Sequence, residues 1–255
     1  MEIGFSSRRI VGILLIVWII LVVASILANL LENFNTGQYL TNEALESYVR
    51  LFSLDKEANI PTWYSSLLLF IASITLTIIS LLASKRGEPY FRHWAFLALI
   101  FLGLSMDETA IIHEMLVKPM KMAFHTTGFL YYGWVIPGAL FSMAIAFAYR
   151  KFLFALASST RIQIIIAGAI YVLGALVFES IGGKVAQTTG ESGFAYNALT
   201  TLEEASEMLG VIVFIFALLQ YLAKNFGEFQ ISFRPFFKAE LLREDTDRED
   251  FQTKL

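Results

Sequence analysis

The sequence predicts an all-α membrane protein, a bundle of about six transmembrane helices with a short interfacial helix in the first outer loop. Three observations carry this expectation. Of the 255 residues, 56% are hydrophobic and only 16% charged, against about 45–50% and about 25% in soluble domains. Mean hydropathy is +0.63. The apolar residues fall in runs of about 20, the length that crosses a hydrocarbon core of roughly 30 Å. A backbone amide cannot stay unbonded at that depth, so each run is a helix.

The predicted helices cover about 10–31, 63–83, 94–117, 131–149, 162–182 and 198–223. Arg8-Arg9 ahead of the first run resembles the start of a signal peptide. The run from Ile10 to Leu31 exceeds a signal h-region of about 7–15 residues and reads as a retained helix. In the long connection 32–62, Ala44, Leu45, Tyr48, Val49 and Phe52 share one helical face, and Glu46 and Arg50 have i,i+4 spacing. That pattern fits an amphipathic helix on the outer interface. Trp63-Tyr64 and Tyr131-Tyr132 mark outer helix ends as an aromatic belt does, and Pro137-Gly138 predicts a kink in the fourth helix. Residues 1–230 form one transmembrane domain, and 231–255 are expected to be a disordered acidic cytoplasmic tail.

Orientation follows from the basic residues of the connections. Arg8, Arg9, Lys85, Arg86, Arg92, Arg150, Lys151, Arg161 and Lys224 fall on one side; Arg50, Lys56, Lys118, Lys121 and Lys184 fall on the other. This bias places both termini in the cytoplasm and the protein in the inner (plasma) membrane. With no cysteine, disulfides, thiolate ligands and a cysteine nucleophile are excluded, and a net charge of −3 gives no footing for nucleic acid. Walker A and dinucleotide-binding glycine loops are absent, and no second histidine completes a helical zinc-protease motif after His113-Glu114.

What remains is an unusual set of acids. The third helix carries Asp107, Glu108, His113 and Glu114, the fifth Glu179, and the sixth Glu203, Glu204 and Glu207. Each charge at the bilayer centre costs at least about 2.5–3.5 kcal/mol, yet all these residues share one depth, between the midplane and the outer surface. On a straight helix Asp107 and Glu114 are nearly eclipsed, whereas Glu108 points away from them. Glu203, Glu207 and Gly210 share a face with Glu204 at its margin, and Gly168, Ala175 and Gly182 repeat beside Glu179, a small-residue stripe that permits close packing. Bare anions cannot persist together in low dielectric, so protons or a cation must compensate them.

Asp107, His113, Glu114, Glu179, Glu203 and Glu207, with Glu108 and Glu204 as further members, therefore form a candidate site of hard oxygens and one imidazole nitrogen. Such a set suits a divalent Mn, Fe, Zn or Ca ion. The leading expectation is a cation-binding cavity open to the outer face, with a transport or ion-coupled role. One alternative is a membrane-embedded metal-dependent enzyme acting on a lipid or lipid-linked substrate; another is a structural or assembly subunit. Transport requires a polar route to the inner face. Ser73, Thr75, Thr77, Ser80 and Ser142 are the candidate positions for that route. The expected partners are the lipid bilayer and a small cation or lipid-like substrate. Ion identity, substrate and oligomeric state are not encoded legibly.

The segments Ser105–Glu114 and Leu202–Gly210 resemble a group of uncharacterised bacterial multi-pass membrane proteins over about 60–223. More loosely, the chain resembles the ceramidase-like membrane hydrolase superfamily, whose members hold zinc between helices with three histidines. Here His113 is the one candidate histidine, and no His-x-x-x-His occurs.

Overall fold

The structure is a computed structural model that describes residues 6–34 and 43–227. The acidic tail and residues 35–42 lie outside the described residues. The chain runs α1 (Ser7–Phe34), α2 (Glu43–Phe52), α3 (Ile60–Lys85), α4 (Phe91–Ala110), α5 (Val117–Phe124), α6 (Val135–Ala155), α7 (Ser158–Val172), α8 (Glu179–Thr189) and α9 (Phe194–Phe226), with no strand among the described residues. A π-helical segment, Leu173–Phe178, joins α7 to α8 without interruption. Five helical stretches are long and apolar enough to cross a membrane: α1, α3, α6, α7 through α8, and α9. The α4–α5 pair makes a sixth if counted as one broken span.

The short amphipathic helix predicted in the first long connection is present as α2. It lies on α1 and α3, its Tyr48 hydroxyl donating to the Ala24 carbonyl (3.1 Å) and its Val49 buried. The predicted kink at Pro137-Gly138 is not found. Helix α6 begins only at Val135, so Pro137 sits in the first turn, where a missing N–H breaks no helical hydrogen bond.

The core is α9 packed against α1, α3 and α7. Met208, Ile212, Ile215 and Leu218 of α9 and Leu68, Leu76 and Ile79 of α3 are fully buried, while Ile13, Ile16, Leu99, Leu140 and Phe147 face outward. Polar anchors fix these helices at close range. Trp18 Nε1 donates to the Ala205 carbonyl (3.0 Å), and Tyr64 donates to that of Leu14 (2.6 Å).

Serines hold α3 to α4 at seven-residue intervals. Ser66 donates to the Ser105 carbonyl (2.8 Å), Ser73 to that of Ala98 (2.8 Å) and Ser80 to that of Phe91 (2.9 Å); Ser105 returns a bond to Ser66 (2.9 Å). Two antiparallel helices whose facing residues step by two turns present this ladder, and small hydroxyl residues suit close helix contact in an apolar setting. Thr75 and Thr77 donate to carbonyls of their own helix, those of Ile71 and Ser73. Four of the five hydroxyls expected to line a polar route are therefore engaged in holding helices.

The third predicted helix, 94–117, is not continuous. Helix α4 stops at Ala110, Ile111 adopts a left-handed conformation (φ 55°, ψ 41°), and α5 leaves at 72° to α4. A β-branched residue in that region is strained by about 1–3 kcal/mol and needs compensation. Asp107 provides it. Its carboxylate accepts the His113 backbone N–H (2.8 Å) and contacts His113 Nδ1 (2.9 Å), while its carbonyl accepts the Ile111 N–H (2.7 Å).

Candidate functional site

Helices α4, α6, α7 and α9 enclose one cavity of about 540 Å³, within the range of about 300–1,000 Å³ typical of small-ligand sites. Glu57, Asp107, Glu108, His113, Glu203, Glu204 and Glu207 line one end. The rest of the wall is mainly apolar, running through Leu97, Phe101, Ile145 and Phe214 to Phe152 and Leu153, with Ser142 and Tyr149 among them. Among the described residues, no lysine or arginine lines it. From Glu108 to Leu97 is eleven residues of α4, about 16 Å of helix.

The eclipsed Asp107–Glu114 face does not form, because the chain turns between them. Glu114 lies exposed in the 3₁₀ turn Glu114–Leu116 and does not line the cavity. The same turn brings His113 back onto Asp107, a pairing that a straight helix would forbid. Glu108, expected to point away, lines the cavity beside Ser65, as does Glu204.

On the opposite wall, His113 packs on the Trp134 ring (centroids 4.8 Å apart), and Trp134 Nε1 donates to Glu179 Oε1 (2.7 Å). Glu179 in turn stands against buried Glu203. Glu207 faces the Tyr171 hydroxyl. Asp107, His113, Trp134, Glu179 and Glu203 thus form a continuous polar chain across the end of the cavity.

Glycine sets how close the walls come, although not at the expected stripe. Gly168 and Gly182 have open space where a Cβ would stand. The close approach of α7 to α9 is made at Gly174, whose Cβ would meet the Glu203 carbonyl oxygen at 2.7 Å, and at Gly210, whose Cβ would meet the Tyr171 nitrogen at 2.8 Å. The π-helical segment contains Gly174 and immediately precedes Glu179. Such insertions re-aim the residues that follow, and they occur often at functional sites.

Glu57, Trp134 and Tyr171 were not singled out in the sequence. Glu57 reaches the cavity because Ala58 is left-handed (φ 55°) and Asn59 caps α3, accepting the Thr62 N–H (3.1 Å) and donating to the Ser53 carbonyl (2.6 Å). Glu57 stays open to solvent on one side, and partial desolvation by the surrounding loop, followed by the charge of Glu114, raises its carboxyl above the ordinary glutamate value. The turn residues Ala58-Asn59 were the available signal, but nothing local says that the loop folds over the acids. Asn29 is also nearby and buried, donating to Thr201 (3.2 Å) and accepting from Ser53 (3.3 Å), so it joins α1 to α9 and the loop.

At the far end, His93 stacks on Phe152 (5.5 Å), and Tyr149 donates to the His93 carbonyl (2.9 Å). Trp94 meets Phe152 edge-on (4.7 Å). These aromatics close the floor of the cavity.

Chemically, the arrangement offers carboxyls without a basic neighbour and one imidazole whose Nδ1 is held by an aspartate. With Nδ1 donating to Asp107, neutral His113 presents Nε2 as a base. Nε2 has no hydrogen-bond partner among the described residues. No three His, Asp or Glu side chains among the described residues stand close enough to hold a metal ion as placed. Glu203 with Glu179, and Asp107 with His113, are the pairs from which a metal site would have to be assembled.

Fold and site together define a class: an all-helical chain, several of whose helices are long and apolar enough to cross a membrane, with an acid-ended, largely apolar cavity. The particular family follows from comparison with known proteins. Residues 13–222 match the family described as a domain of unknown function (DUF8692), and the chain belongs to that family. No curated protein and no solved structure matches it.

Proposed function

We propose that this is an integral membrane protein that binds a membrane amphiphile in the cavity. The alkyl chain lies along the apolar wall and a cationic head sits among Glu108, Glu204 and Glu207, where the Asp107–His113 pair performs acid–base chemistry on it. The supporting observation is the shape and polarity of one cavity: carboxyls at one end, about 16 Å of largely apolar wall beneath them, and no lysine or arginine lining it among the described residues. A cation in such a place is attracted by charges that water screens poorly. His113, oriented by Asp107, stands at the same end with a free ring nitrogen, the geometry required of a general base.

The ion-transport reading fits this geometry less well. Below the acids the wall offers Ser142, Tyr149 and hydrocarbon, and the hydroxyls of α3 that could have continued a polar path are bonded to backbone carbonyls. A bound divalent metal in place of a cationic head uses the same carboxyls and is the second reading, favoured by the mixed oxygen and imidazole donors.

The test is equilibrium binding of radiolabelled dodecylamine to the protein in lipid nanodiscs, beside dodecyl sulfate of equal chain length. Saturable amine binding, absent with the sulfate and reduced at least about tenfold in Glu204→Gln/Glu207→Gln, is expected. Equal binding of amine and sulfate, or an unchanged double variant, refutes the proposal. Stoichiometric metal on the purified protein, lost in the same variant, would replace it with the metal reading.

A further inference from the structure

Three walls of the cavity are sealed by packing, and the fourth is not. Helix α7 lies directly on α9 through Gly174 and Gly210, and α6 rests on α7 and the π-helical segment. Helix α4 meets α9 through the stacked Phe101–Phe214 rings (4.7 Å), and α3, tied to α4 by the serine ladder and packed on α9, closes that side from behind. Between α4 and α6 the backbones scarcely meet. Their described contacts are the aromatic ones at the far end, among His93, Trp94, Tyr149 and Phe152.

Beyond that clamp, among the described residues, the two helices are linked only indirectly, at the acid end, through Asp107, His113 and Trp134. The 72° turn after Ala110 directs the chain away along α5 before it returns to start α6, so no helical hairpin forces the acid-end halves of α4 and α6 together. Ile100 and Leu104 form one lip of the gap and Phe141 and Ile145 the other. The surfaces flanking the lips are strongly apolar: Phe96 and Leu99 on α4, and Leu140, Met143 and Phe147 on α6, are all exposed.

We infer that the gap between α4 and α6 is a lateral entrance through which the amphiphile slides in from the outer leaflet, head first toward the acids, without leaving the bilayer. This rests on the amphiphile reading above. The occupant is a lipid chain because the lips and the wall behind them are hydrocarbon and open onto surfaces that a bilayer would cover.

Occupancy by a chain drawn from the bilayer has an energetic signature, whatever its route. A ligand arriving from water gains about 0.8 kcal/mol for each buried CH₂, whereas a chain already in lipid exchanges one apolar environment for another and gains little. Affinity expressed per mole fraction in the bilayer should therefore be nearly independent of chain length and depend strongly on head charge.

The native chain has no cysteine, so the entrance can be closed chemically. Ile100→Cys/Ile145→Cys is bridged with a reducible bis-maleimide in nanodiscs containing radiolabelled alkylamines of ten to sixteen carbons. The bridged protein should take up the amine at least about tenfold more slowly than either single variant capped with the same reagent. Reduction should restore the rate, and mole-fraction affinities of the unbridged protein should agree within about threefold across the series. Uptake by the bridged protein at the capped-variant rate overturns lateral entry and assigns access to the aqueous face. Should the unbridged proteins bind no amine at any length, the amphiphile reading itself fails, and this inference with it.

Discussion

Replacing Gly174 by alanine tests the packing that places the acids. A Cβ there would stand 2.7 Å from the Glu203 carbonyl oxygen, 2.9 Å from Glu207 Cγ and 3.1 Å from the Glu207 nitrogen. Two of these atoms belong to the α9 backbone, so no side-chain rotation relieves them. Reaching an ordinary contact of 3.4 Å demands a separation of about 0.7 Å between the π-helical segment and α9. Overpacking of this kind costs about 1–3 kcal/mol, and for a chain of this size each kcal/mol lowers the unfolding midpoint by roughly 2–4 °C. Gly168→Ala is the matched control, one helix with open space at its Cβ. There alanine gains about 1 kcal/mol of helix propensity. Thermal unfolding in detergent, followed by tryptophan fluorescence, should place Gly174→Ala roughly 2–12 °C below wild type and Gly168→Ala at or above it. Because the separation moves Glu203 and Glu207, alkylamine binding should also fall in Gly174→Ala alone. Equal midpoints for the two variants would refute the close approach of α7 to α9 at this residue.

Two other outcomes follow from the same geometry. Trp134→Phe removes the donor to Glu179 and leaves that carboxyl facing Glu203 without compensation, at about 1–3 kcal/mol of stability. Adding Glu179→Gln should recover part of the loss, a non-additivity measurable as a double-mutant cycle. For Glu57 the sign runs through its raised carboxyl: the folded protein binds that proton more tightly than the unfolded chain, so stability falls as pH rises from the ordinary value of 4.5 toward the folded one. Glu57→Gln abolishes this loss. It should match wild type near pH 4 and be the more stable protein at pH 7 in unfolding scans, and equal pH profiles would show that Glu57 does not face the acids.

The helical architecture was legible from the sequence because the demand of hydrocarbon on the backbone is local. A run such as Ile60–Lys85 must bond its own amides wherever it packs, and an amphipathic stretch such as Glu43–Phe52 has only one face to bury. The gathering of acids from three segments was equally legible, since Asp107, Glu179 and Glu207 sit at countable positions within their runs. Rotation about each helix axis was not. The straight-helix phase put Glu114 beside Asp107 and turned Glu108 away, whereas a left-handed Ile111 and a π-helical segment ahead of Glu179 reset the phase at two of the three acid-bearing elements. The first break has no glycine or proline to announce it, and the single Gly174 in the second does not distinguish a π-helical insertion from continuous helix. The first is stabilised by Asp107 accepting from His113, a contact that exists only once the chain has turned. The identity of the glycines in contact, the fate of the α3 serines and the open seam between α4 and α6 were likewise decided by how the helices pack. Contact between helices depends on partners far apart in sequence, whereas burial of a single helix in lipid depends only on its own residues.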